Sequence, residues 1–173
     1  ERGIRNTNLL RAFEKINRTK FVGHLYADLA REDMSLPIGC GQSQTAPSDL
    51  ALMIETLHVA PDHRVLEIGT GCGYQAAVLS RLSKEMYSIE RLRGLHERAV
   101  DNLRHLRQPN LHLLLGDGML GYPQGAPYAG IIAAAGGDAL PQAWLDQMDV
   151  GGRLVAPMVA AGGQQALVVV DRT

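Results

Sequence analysis

The apolar positions along the chain change their period near residue 63. Before it, Leu9, Leu10, Phe13 and Ile16 recur at helical intervals within NTNLLRAFEKIN, which predicts one amphipathic helix. The stretch LPIGCGQSQTAP that follows is rich in Gly, Pro, Ser and Thr and reads as an ordered loop. Leu50, Met53, Ile54 and Leu57 then mark a second helix, with Thr45 and Pro47 where helix starts favour a hydroxyl and a proline. Beyond residue 63, short apolar runs alternate with helical patterns. RVLEIG, MYSIE, LHLLLGDG, AGIIAAAG, GRLVAPM and QALVVVD read as strands, and residues 74–82, 92–106 and 140–148 as helices. Continuous apolar strands interleaved with helices predict an α/β fold, a mostly parallel sheet covered on both faces. The expected organisation is one domain over residues 1–173, with an N-terminal extension and loop over 1–47 and an α/β core over 48–173.

Composition narrows the classes. The chain is 46% hydrophobic but 5% aromatic, so its core is expected to be aliphatic. A formal net charge of -1 argues against binding nucleic acid through phosphate contacts. No apolar run reaches the ~18 residues that span a bilayer, and the opening residues are too charged for a secretory signal. Cys40 and Cys72 match no metal spacing, and a reduced, cytoplasmic setting is expected. The six histidines, His24, His58, His63, His96, His105 and His112, show no ligand spacing either.

In a doubly wound sheet, ligands sit at the carboxyl ends of the strands near the switch in strand order. Three predicted strand ends carry suitable groups. At the first, Glu67 precedes Gly69, Gly71 and Gly73. A dinucleotide fingerprint would need glycine where Tyr74 stands. The E-x-G-x-G-x-G pattern instead resembles the first motif of S-adenosylmethionine-dependent methyltransferases: glycines admit a close backbone approach to the cofactor, and Glu67 can offset cationic character nearby. At the second, Glu90 ends YSIE, where a carboxylate can accept both ribose hydroxyls. At the third, Asp117 lies between Gly116 and Gly118, within reach of an adenine amino group.

Taken with LPIGCGQSQTAPSDLALMIETL, GDGMLGYPQGAPYAGIIAAA and LDQMDVGGRLVAPM, the run EIGTGCGYQAAVL followed by YSIER makes the chain resemble the protein-L-isoaspartate (D-aspartate) O-methyltransferases over nearly its whole length. The resemblance implies a Rossmann-like fold and a cytoplasmic, monomeric protein-repair enzyme. Such an enzyme moves a methyl group from S-adenosylmethionine to the α-carboxylate of isoaspartyl residues in damaged proteins and peptides, leaving S-adenosylhomocysteine. Thr70, inside the turn, and Arg91, beside Glu90, join the cofactor set through the same motifs. The family's loop reads approximately Thr-Ile-Ser before a residue and proline. Its active-site serine falls on Thr45 here and its threonine on Ser43, with Gln44 in place of an apolar residue and Ser48 in place of a ring-bearing one. Hydroxyls and N–H groups near this helix start are expected to hold the carboxylate. The resemblance also implies a chain longer at both ends, with further C-terminal residues completing the sheet. The absence of a strong base fits that chemistry, because a carboxyl of pKa ~3.5–4 is already an anionic nucleophile. Two other readings stay open: a methyltransferase of another protein carboxylate, and a non-catalytic S-adenosylmethionine-binding module.

Overall fold

The computed structural model describes residues 3–134, 139–159 and 161–173. Helix α1 (Thr7–Lys15) starts on Asn6, whose side chain accepts from the Asn8 and Leu9 N–H groups, and buries Leu9 and Ala12. Two 3-10 turns, Arg18–Lys20 and His24–Leu29, lead to a two-stranded antiparallel hairpin, β1 (Leu36–Gly39) and β2 (Gln42–Gln44). The stretch expected as a loop is therefore paired strand. The hairpin turns through Gly39, Cys40 and Gly41, all at positive φ. With strands of only four and three residues, too few apolar positions exist to show a period of two.

The core then alternates: α2 (Pro47–Leu57), β3 (Arg64–Ile68), α3 (Tyr74–Ser80), β4 (Glu85–Glu90), α4 (Arg93–Leu103), β5 (Leu111–Leu115), β6 (Tyr128–Ala133), α5 (Gln142–Asp146), β7 (Met148–Val159) and β8 (Gln165–Asp171). All six predicted strands form one sheet in the order β5-β4-β3-β6-β7-β8, parallel except for β8. Residues Ala135 and Gly136 of the predicted AGIIAAAG strand lie outside the described residues. Strand β7 begins earlier than GRLVAPM: Met148 already pairs with Tyr128, and a register shift separates that pair from Gly130 opposite Arg153. The helix predicted over 140–148 is shorter for the same reason. The helix predicted over 92–106 ends as α4, its last residues forming a 3-10 turn, Arg104–Leu106.

Successive strand residues face opposite sides of the sheet. Val65, Ile132 and Val155 point to one core with Leu9, Leu50, Leu79 and Leu95 from α1 to α4. Leu66, Ile131 and Leu154 point to the other, with Tyr128 and Trp144 of α5. Every residue of α3 is buried, so the helix that follows the glycine turn is locked between sheet and extension. Phe21 meets the Tyr74 ring edge-on at 5.6 Å and Phe13 lies 6.1 Å from it, which anchors the N-terminal extension on the first residue of α3. The chain runs from β3 outward to β4 and β5, then returns to β6 on the other side of β3. That reversal opens a crevice at the carboxyl end of β3.

Candidate active site

A cavity of about 350 Å³ fills this crevice. Gly69 and Gly71 of the turn after β3, Glu90 at the end of β4 with Arg91 after it, and Asp117 and Gly118 after β5 line it. Ser43 and Thr45 of the hairpin close its other side. Eight of the residues singled out in the sequence thus meet in one place. Ile68, Ile89, Leu140 and Trp144 supply apolar walls.

Glu90 is the best-held polar group. Its Oε1 accepts from the Gly71 N–H at 2.9 Å and its Oε2 from the Leu92 N–H at 2.9 Å, while the residue stays 7% exposed. The carboxylate is thereby fixed in orientation by two backbone donors, with lone pairs left over for a ligand. Asp117 is exposed, and its Oδ1 accepts from the Met119 N–H at 3.0 Å. Two glycines are required by this geometry. Gly71 sits at φ +57°, and a Cβ there would lie 3.1 Å from Ile38 of the hairpin. At Gly118 a Cβ would lie 2.6 Å from Ile68 Cγ2, inside the cavity wall. The backbone is cut back to the space that a flat ligand needs.

Glu67, Thr70, Gly73 and Gly116 are not on the cavity wall. Glu67 is fully buried beneath the turn, where it accepts from the Ser88 hydroxyl. Ser88 Oγ also shares a 2.6 Å hydrogen bond with Thr70 Oγ1. Burial pushes the Glu67 carboxyl up to about 8, with the Ser88 bond opposing and the Glu90 carboxylate adding. Glu67 therefore carries a proton at neutral pH and ties β3, β4 and the turn together. Its Oε2 has no hydrogen-bond partner among the described residues. Gly73 packs against Leu103 and Ala99, and Gly116 against Ile89.

On the hairpin side, Gln42, Ser43 and Thr45 all line the cavity, and Gln44, between the two hydroxyl residues, is buried away from it. Neither hydroxyl is bonded to another group among the described residues. Thr45 is not the cap of α2, contrary to expectation. Ala46 is the N-cap without a side-chain bond, and the Ser48 N–H donates instead to Asp33 Oδ1 at 2.9 Å. The helix start is thus already served by an acid from the loop before β1, and Pro47 removes another donor. The hydroxyl edge, not the helix terminus, is what the cavity receives.

Sequence reasoning missed three supporting residues. Arg18 is buried and bonds the hairpin from below through Gln44. Arg98 of α4 donates to the Ile38 carbonyl. Trp144 donates from Nε1 to the Gly118 carbonyl at 2.7 Å, fixing the turn after β5 against the wall. As the chain's single tryptophan, on a predicted helix after a strand, Trp144 was the most readable of the three.

A family model described as protein-L-isoaspartate(D-aspartate) O-methyltransferase matches residues 1–173. A protein-L-isoaspartate O-methyltransferase of Leptothrix cholodnii is 55% identical, covering 98% of this chain and 62% of its own length. One of Methylibium petroleiphilum is 51% identical, covering 98% of this chain and 65% of its own length. The chain thus spans somewhat under two thirds of the curated relatives it matches. A solved protein-L-isoaspartate O-methyltransferase superposes with a TM-score of 0.90 at 30% identity, over 99% of this chain and 57% of that one. A solved Plasmodium falciparum protein, described as a putative protein-L-isoaspartate O-methyltransferase in complex with S-adenosyl-L-homocysteine, shares the fold. Its TM-score is 0.84 at 19% identity, over 99% of this chain and 85% of that one. With the family matched from end to end and half of the residues shared with curated members, the chain belongs to the protein-L-isoaspartate(D-aspartate) O-methyltransferase family.

Proposed function

We propose that the protein methylates the α-carboxylate of L-isoaspartyl residues in damaged proteins and peptides, with S-adenosylmethionine as donor. The observation that carries this reading is the meeting of two chemically different edges in one cavity. Glu90, Asp117 and the glycine backbone form one edge, and the Ser43 and Thr45 hydroxyls, unbonded among the described residues, form the other.

The residues present fit the cofactor. Glu90 would take the ribose hydroxyls and Asp117 the adenine amino group, while Gly69, Gly71 and Gly118 leave room for close backbone approach. Arg91 stands beside Glu90 at the rim, and Glu67, Thr70, Gly73 and Gly116 support this edge from beneath. When bound, S-adenosylmethionine supplies an electrophilic methyl group on a sulfonium. The protein's own residues then have a positioning task. Ser43 and Thr45 would donate hydrogen bonds to the acceptor carboxylate and aim one oxygen at the methyl carbon. No base is needed, since the carboxyl is ionised at neutral pH. Positioning of this kind can supply roughly 7–11 kcal/mol of a barrier. Ile68, Ile89, Leu140 and Trp144 give the cavity apolar walls beside the reacting groups.

The same proposal covers the setting: a monomeric, cytoplasmic protein with damaged polypeptides as partners, and one methyltransferase domain divided near residue 47 into an acceptor-side extension and a cofactor-side core. Both cysteines are free, which suits a reducing compartment. The test is methyl transfer from labelled S-adenosylmethionine to a short isoaspartyl peptide beside its normal aspartyl twin. Labelling of the isoaspartyl peptide alone is expected. Equal labelling of both, or of neither with cofactor binding intact, would overturn the reading.

A further inference from the structure

We propose that Arg18 and Gln44 act as a positioning pair that fixes the acceptor edge of the cavity, a proposal that rests on the assignment of Ser43 and Thr45 to the acceptor carboxylate. Arg18 is 5% exposed and Gln44 7% exposed, so the pair works out of contact with solvent. Arg18 Nε donates to Gln44 Oε1 at 2.8 Å. Its Nη1 donates to the carbonyls of Ala30 at 3.4 Å and Glu32 at 3.2 Å. Its Nη2 donates to the carbonyls of Met34 at 2.8 Å and Thr45 at 3.5 Å. One planar guanidinium therefore gathers the chain before β1 and the end of β2, with every nitrogen engaged.

The backbone converts this brace into a placement. Gln44 stands directly between Ser43 and Thr45, so holding its side chain buried, together with the bond to the Thr45 carbonyl, orients the two neighbours that line the cavity. Arg18 itself opens the turn that ends in Phe21, and Phe21 packs on Tyr74 directly after the glycine turn. The acceptor edge is thus referenced to the element that carries the cofactor edge. Arg98 adds a second tie at the Ile38 carbonyl, and Ile38 lies over Gly71. Neither Arg18 nor Gln44 lines the cavity. Burial lowers the Arg18 pKa from its ordinary value, yet a guanidinium remains charged under these conditions.

The test uses the full-length protein with Gln44→Leu, which removes the acceptor at similar volume, and Gln44→Glu, which restores one. Three readouts are taken: amide hydrogen exchange, kcat on the isoaspartyl peptide, and affinity for S-adenosylhomocysteine by calorimetry. For Gln44→Leu, exchange over residues 36–45 should quicken about tenfold while residues 69–73 stay within about twofold. Turnover should fall about tenfold or more with cofactor affinity within about twofold, and Gln44→Glu should recover most of both losses. Arg18→Lys, which keeps the charge but loses the fork, should repeat the Gln44→Leu pattern and serves if that variant folds poorly. Unchanged exchange over 36–45 would overturn the proposal, as would faster exchange with kcat intact. Should wild-type protein leave the isoaspartyl peptide unlabelled, the functional reading falls, and the exchange readout alone then decides whether the brace orders this edge.

Discussion

The two edges of the cavity are built by different means. The cofactor edge is made of backbone: a turn after β3, a carboxylate pinned by the Gly71 and Leu92 N–H groups, and a glycine pressed against Ile68. The acceptor edge is made of side chains reaching across the fold, with Arg18 bonding the Gln44 side chain and Arg98 the Ile38 carbonyl of a hairpin that contributes only seven residues of strand. The first kind of edge is rigid because the sheet is rigid. The second is rigid only while its long-range bonds hold.

The largest expected effect concerns the foundation of the cofactor edge. Glu67 has a folded-state pKa of about 8, raised by burial above the ordinary 4.5. Its favourable contribution is present in full below the unfolded value and is lost as pH rises toward about 8. Across that window wild-type protein should lose on the order of 1 kcal/mol per pH unit from this group. Glu67→Gln keeps an acceptor for Ser88 and should flatten the slope, so that its Tm matches wild type near pH 5 and exceeds it near pH 8. Parallel Tm curves would show that Glu67 ionises freely in the folded state.

Next comes Glu90→Ala, which strands two backbone donors and removes a charged acceptor. Affinity for S-adenosylhomocysteine should fall roughly 100-fold, and calorimetry that finds wild-type affinity would detach Glu90 from the cofactor. The converse variant, Ser43→Ala with Thr45→Val, should cut kcat by roughly 10- to 100-fold while leaving that affinity within about twofold. A loss of both together would mean that the two edges are not separable. Gly71→Ala stands where they touch. The left-handed φ costs about 1–2 kcal/mol, and the new methyl meets Ile38, so Tm should fall by about 2–8 °C and both kcat and cofactor affinity should weaken. The smallest effect is expected at Asp117→Ala, because the residue is exposed. A cofactor affinity lower by about 2- to 10-fold is the expected result, and unchanged calorimetry would remove Asp117 from the site.

The same contrast explains what was readable in the sequence. The path from β3 to β5 could be followed because apolar runs and a glycine turn are local signals, and Glu90 and Asp117 stand at strand ends where such folds bind ligands. Glu67 had the right residue type at the right spacing, but its depth beneath the turn depends on which face of β3 it occupies. The hairpin escaped notice because its strands are too short to show alternation. Thr45 suggested a cap, yet the α2 start is served by Asp33, fifteen residues before Ser48. Arg18 left no trace at all, since bonds to distant carbonyls depend on the fold and not on neighbouring residue types. Trp144 was visible as a residue but not as a wall of the cavity.

The most direct test of this two-edged site is a crystal structure of the full-length protein with S-adenosylhomocysteine and an isoaspartyl peptide. The account predicts the ribose hydroxyls at Glu90 and the peptide α-carboxylate within hydrogen-bond distance of Ser43 or Thr45. A nucleoside bound away from Glu90, or a carboxylate held by groups outside the hairpin, would contradict it.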